Sequence, residues 1–168
     1  LEAFAKARDL YCYRDSYNNV LIKKSATVGS EGREPILLQG HTDMVCEKNA
    51  GVEHDFMRDP IDLYEEDGWI KARGTTLGAD NGVAVAVMLY VLDDGASAHP
   101  DIECLFTASE EVGLDGATNF DYSKINARRM INMDSADESF IIAGCAGGQR
   151  SSVCFGVASK TMCAKTAK

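Results

Sequence analysis

Glu110 and Glu111 are neighbouring carboxylates just after the apolar stretch 102–106. Two carboxylates drawn out of water at such a place repel each other and lose hydration. A divalent cation bound by one removes that cost. The other can then act as a general base on a water whose pKa the cation has lowered. Two exposed glutamates in a loop would read the same in isolation.

His41 and Asp43 stand two residues apart, so extended backbone turns both to one side. A ligating imidazole usually has its second nitrogen held by a carboxylate or carbonyl. His41 as ligand and Asp43 as orienter meet that need, although a surface His-x-Asp pair looks alike. Asp80 lies in the segment 74–82, which holds Gly74, Gly78 and Gly82. It could cap the helix that follows. It could equally use its two oxygens to bridge cations about 3.5–4 Å apart, and the glycines suggest backbone approaching something closely. Asp134 ends another apolar stretch and could be a simple turn residue. Taken together, one imidazole and several carboxylates form the N/O donor set that suits zinc or manganese.

Strands and a helix must hold these residues. Val20-Leu21-Ile22, Ile36-Leu37-Leu38, Trp69-Ile70-Lys71-Ala72, 102–106, Met130-Ile131-Asn132-Met133, 140–142 and 153–157 read as strands. Leu1, Phe4, Ala5 and Leu10 give the first residues a helical face. Asp80-Asn81-Gly82 is a helix-start signal, and 83–92 is apolar all round, which predicts a buried helix. Strand, crossover helix and strand imply parallel pairing. The expected fold is α/β, a mostly parallel or mixed twisted sheet flanked by helices. The candidate residues then gather beyond the carboxyl ends of the strands, where open α/β sheets build their sites.

Composition narrows the function classes. The 168 residues are 45% hydrophobic, enough for a core, and the net charge of −9 argues against nucleic acid or an anionic membrane as partner. No apolar run reaches the roughly 20 residues of a membrane span. Leu1 opens into an amphipathic, charged stretch rather than a secretory leader. The run 53–67 carries seven acids against one arginine and reads as a solvated loop or edge. Six cysteines without a Cys-x-x-Cys pair suggest reduced thiols and a cytoplasmic home.

The motifs LQGHTDMVCEKN, HDFMRDPI, ARGTTLGADNGVA, TASEEVGLDGA, INMDS and GCAGG resemble the di-zinc metallopeptidase family that includes aminoacylases and carboxypeptidase G. Within it the likeness is to the aminoacyl-histidine (Xaa-His, cytosol non-specific) dipeptidase branch. The resemblance implies a zinc-peptidase-like catalytic domain with two divalent ions, zinc foremost and manganese or cobalt as alternatives. It makes His41 and Asp134 ligands of one ion, Asp80 the bridge, Glu111 a ligand of the other ion, and Glu110 the general base. Asp43 becomes the acidic residue behind His41. Which glutamate is the base is settled only by the resemblance. The implied reaction is hydrolysis of a dipeptide such as β-alanyl-histidine, with N-acyl amino acids or short peptides as the alternative substrates.

One departure is Asp134-Ser135-Ala136-Asp137, where these dipeptidases typically read Asp-Ser-Glu-Glu. Both chain ends read as cut. The expectation is a partial catalytic domain over 1–159 and a tail over 160–168 leading toward a lid domain absent from this chain. The final metal-ligating His would then lie outside it, so His54 and His99 are read as structural. The fragment alone is expected to be inactive, or at most a metal-binding domain, and the longer protein a homodimer through its lid.

Overall fold

The computed structural model describes residues 1–135, 139–144 and 152–156. The chain divides into two compact units, Leu1–Ala136 and Asp137–Lys168. The first carries every helix and strand assigned among the described residues, and all six candidate site residues.

The chain opens with α1 (Glu2–Ala7), then runs through β1 (Tyr11–Arg14), β2 (Val20–Lys24) and β3 (Ile36–His41). A hairpin of β4 (Leu63–Glu66) and β5 (Trp69–Ala72) follows, then α2 (Ala79–Asp93) and β6 (Ile102–Thr107). Short α3 (Asp115–Asn119), a 3₁₀ turn (Tyr122–Lys124) and β7 (Arg129–Asn132) complete the unit. The five-stranded sheet has the order β1-β2-β6-β3-β7. Its β1/β2 and β2/β6 pairs are antiparallel, while β3/β6 and β3/β7 are parallel. The expected α/β arrangement is present and the sheet is mixed; a βαβ unit is formed by β3, α2 and β6, whereas Trp69–Ala72, the strand read just before the helix, lies in the separate hairpin.

Period-2 alternation builds a core on each face of the sheet. Val20, Ile22, Leu38, Ile102, Cys104 and Phe106 pack with Ala5, Met88 and Leu92 on the face covered by α1 and α2. Leu21, Leu37 and Leu105 pack with Phe120, Ile125 and Ala127 on the other. Every residue of central β6 is buried.

Cys104 lies on that strand, fully buried, and burial pushes its thiol pKa up to about 12 against a small opposing pull from Lys24. Cys46 is exposed. Because the thiolate is the reactive form, iodoacetamide at about pH 8 should label Cys46 in the native protein and spare Cys104 until the chain is denatured. Peptide mapping by mass spectrometry reads the two sites separately, and equal native labelling would contradict the packing.

Several expectations need correction. Helix α2 is not buried all round: Ala84, Met88 and Leu92 face the sheet, while Val83 (63% exposed), Val87 and Tyr90 (72%) lie on a surface that nothing among the described residues covers. A helix meets a sheet along one stripe, whatever its other faces carry. Residues 140–142 and 153–156 are not strands; Val157, the end of the second run, lies outside the described residues. A short apolar run becomes one only by joining a ladder, and these stand exposed without one, Ile141 completely. The run 53–67, read as a loop or edge, contributes β4. Asp67 and Gly68, both at positive φ, make the two-residue turn that pairs it with β5. The tail 160–168 and most of GCAGG (145–148) lie outside the described residues. No helix among the described residues is long and apolar enough to cross a membrane.

Candidate metal centre

His41 is the last residue of β3, Thr107 is its register partner on β6, and Asp134 lies two residues beyond β7. The three parallel strands therefore deliver His41, the 108–116 loop and Asp134 to the same edge of the sheet. Asp80 arrives from the start of α2, across from His41.

His41 is 1% exposed, the deepest of the set. Its Nδ1 lies 2.9 Å from the Asp43 carbonyl oxygen and 3.5 Å from the Asp43 carboxylate. A carbonyl only accepts, so Nδ1 carries the hydrogen in this contact and Nε2 presents its lone pair in the neutral ring. That Nε2 lies 3.0 Å from Asp80 Oδ1 and 4.0 Å from Asp134 Oδ2. A lone pair facing two carboxylates calls for a positive charge between them, either a proton or a cation. Without a cation the proton is favoured. Burial draws the His41 pKa down, but Asp80, the Asp43 carbonyl and the nearby carboxylates outweigh it and raise it above the ordinary histidine value.

The second half of the site hangs on Asp43. Its Oδ1 accepts the Glu110 N–H and its Oδ2 the Glu111 N–H, both at 3.1 Å. One carboxylate thus anchors the backbone of both glutamates and stands behind the imidazole. Burial raises the Glu110 carboxyl pKa. His41 pulls it down, while Asp134, Glu111 and Asp43 push it further up.

Two triads result, His41-Asp80-Asp134 and His41-Glu110-Glu111, each with donor atoms within 4.8 Å of one another. Donors about 2.0–2.2 Å from one ion in a tetrahedron lie about 3.3–3.6 Å apart, so modest side-chain rotation closes either triad on a divalent cation. The donor chemistry, neutral imidazole nitrogen with carboxylate oxygens, fits zinc or manganese. All six residues named from sequence come together, over a span from 41 to 134. His54 stacks edge-on against Phe56, and His99 donates its backbone N–H to the Thr27 hydroxyl and sets its ring Nδ1 against the Pro100 carbonyl, neither in a triad.

Sequence reading missed the residues that hold the ligands. Asn19, fully buried, accepts the Ala108 N–H and donates to the Gly116 carbonyl, tying together the two ends of the glutamate loop. Asn81, 6% exposed, bonds to His41, Met133 and Asp134. Each asparagine stands at a strand or helix start, where a turn or cap is the ordinary reading, so nothing local marks it. The glycines before Asp80 also have local reasons. Gly78 has φ 78°, and a Cβ there would lie 2.9 Å from Met44 Sδ, so the close approach is to a side chain of the loop after His41. The start of α2 has no side-chain cap, and Asp80 turns to His41 instead.

Comparison with known proteins identifies the family of the chain. The chain is 48% identical over 145 residues to the cytosol non-specific dipeptidase of Escherichia coli (strain K12), an alignment covering 86% of this chain and 30% of that protein. The crystal structure of aminoacylhistidine dipeptidase from Vibrio alginolyticus superposes with a TM-score of 0.77 at 41% identity, over 81% of this chain and 28% of that one. Aminopeptidase PepT from Bacillus cereus superposes with a TM-score of 0.64 at 26% identity, over 80% and 37%. This chain therefore spans about a third or less of the proteins it matches. Residues 37–148 match the peptidase family M20/M25/M40. With His41, Asp43, Asp80, Glu110, Glu111 and Asp134 all inside that matched segment, this chain belongs to the peptidase family M20/M25/M40.

Proposed function

We propose that this chain supplies most of a two-metal centre for hydrolysing dipeptides of the Xaa-His type, such as β-alanyl-histidine. The observation that carries the reading is the His41-Asp80-Asp134 donor triad, with Glu110 and Glu111 held next to His41 by Asp43. The names of the E. coli and Vibrio relatives support the substrate class.

Two divalent ions, zinc foremost and manganese or cobalt as alternatives, would acidify water and stabilise the oxyanion that develops on the scissile carbonyl. His41 and Asp134 would hold one ion, Glu111 the other, and Asp80 would serve both. Glu110 takes a proton from the attacking water and returns it to the leaving amine, a role supported by its place beside the donor cluster, where Asp43 holds its backbone. Asp43 fixes the imidazole tautomer and keeps Glu110 and Glu111 in place. The second ion needs a further ligand that none of the described residues provides. The work belongs to the longer protein, in a cytoplasmic setting and as a homodimer through a lid domain.

Removing metal is the direct test. Dialysis of the full-length protein against a chelator should abolish dipeptide turnover, and about two equivalents of zinc should restore it. Turnover that survives at the same rate with no bound metal would rule the reading out. Dipeptides, tripeptides and N-acyl amino acids assayed side by side decide the substrate class.

A further inference from the structure

The ladder between β3 and β7 stops one step before the metal centre, and a side chain takes over. Gln39 pairs with Asn132, and the Met133 N–H donates to the Gln39 carbonyl at 3.0 Å. In a parallel ladder the next bond runs from the His41 N–H to the Met133 carbonyl. Here the Asn81 carboxamide stands between those two groups. Its Oδ1 accepts the His41 N–H at 3.3 Å, and its Nδ2 donates to the Met133 carbonyl at 3.0 Å and to Asp134 Oδ1 at 3.4 Å.

We propose that Asn81 is a positioning residue. Its carboxamide, inserted as a surrogate peptide group into the β3–β7 ladder, sets the spacing of His41 and Asp134 about a cation. The metal part of this proposal rests on the metal-centre reading above.

The chemistry demands an amide at this place. One side of Asn81 faces a donor and the other faces two acceptors, so only a group with both kinds of atom satisfies all three. A hydroxyl is too short to span the gap, and a carboxylate would turn an oxygen toward Met133 O and Asp134. A direct His41–Met133 bond would draw the strand ends together by the width of an amide and close the cleft that Asp80 enters from α2. Gly40 makes room for the arrangement. A Cβ there would meet Asn81 Oδ1 at 2.4 Å and Ala84 Cβ at 2.7 Å. Gly40 and Asn81, 41 residues apart in sequence, are thus two halves of one device.

Two measurements on the full chain test it. In metal-free protein, Asn81→Ala should make the His41 amide exchange roughly three- to tenfold faster, as loss of one hydrogen bond implies, relative to the Ile22 and Cys104 amides of the β2–β6 ladder. A general loss of stability would speed all three together, and that result, or an unchanged His41 rate, overturns the insertion. Asn81→Asp keeps the acceptor and should keep His41 protected. Calorimetric zinc titration should show affinity about 10–100-fold weaker in Asn81→Ala, the usual effect of losing a partner that orients ligands, and Gly40→Ala should behave alike. Wild-type zinc affinity in a folded Asn81→Ala protein overturns the positioning role. If the unmodified protein takes up no zinc, the metal-centre reading fails, and the amide exchange still decides whether Asn81 completes the ladder.

Discussion

Glu110→Gln in the full-length protein should lower dipeptide turnover about 10²- to 10⁴-fold, the range for removing a general base, while bound metal is retained. The substitution keeps the volume of the side chain and leaves the backbone anchor intact, because Asp43 holds Glu110 through its N–H and not its carboxylate. What it removes is the ability to accept and return a proton. The loss should fall on kcat with little change in KM, since no proposed substrate-binding contact is touched. Glu111→Gln offers the contrast. There the metal content should fall together with turnover, because a donor is weakened. Near-normal turnover in Glu110→Gln, or metal loss there equal to that in Glu111→Gln, would show that the roles of the two glutamates are wrongly divided.

Glu103→Leu should destabilise the fold by about 3 kcal/mol, the low end for breaking a buried ion pair. Glu103 sits in the middle of β6, 2% exposed, with Lys23 Nζ 2.6 Å from Oε1. Its carboxylate also accepts the Asn126 N–H at 3.0 Å and the Ala127 N–H at 2.9 Å, so it secures the approach to β7. Leucine leaves both N–H groups unpaired and removes the counter-charge of Lys23. The low end of the range applies because Lys23 is 24% exposed and keeps the Lys124 carbonyl as a partner. With a urea slope of about 2 kcal/mol/M, the unfolding midpoint falls by about 1.5 M. Glu103→Gln, which retains an acceptor, should lose clearly less. An unchanged midpoint in Glu103→Leu would mean that this polar cluster contributes nothing net.

Much of the site was legible in the sequence because its chemistry is local in kind. Adjacent carboxylates, a His-x-Asp pair and a carboxylate among glycines are informative before any fold is known. Each also follows an apolar run that does become β3, β6 or β7, or precedes the run that becomes α2. The same reasoning failed at 140–142 and 153–156. Apolar residues alone do not specify a strand without a ladder to join. It missed β1 and β4 for the converse reason: Tyr11–Arg14 and Leu63–Glu66 are short segments without a run of aliphatic residues, made into strands by a neighbour.

By itself, then, the sequence determined which side chains could bind a cation or move a proton, and that strands end beside them. Only the tertiary structure decided that they meet. The parallel register places His41 level with Thr107, and the β7 ladder brings Asp134 alongside. It also decided the parts played by Asn19, Gly40 and Asn81, whose meaning lies in what faces them across the sheet. Donor chemistry is a property of a residue, whereas a distance between donors is a property of register and packing, and neither exists until the strands have paired.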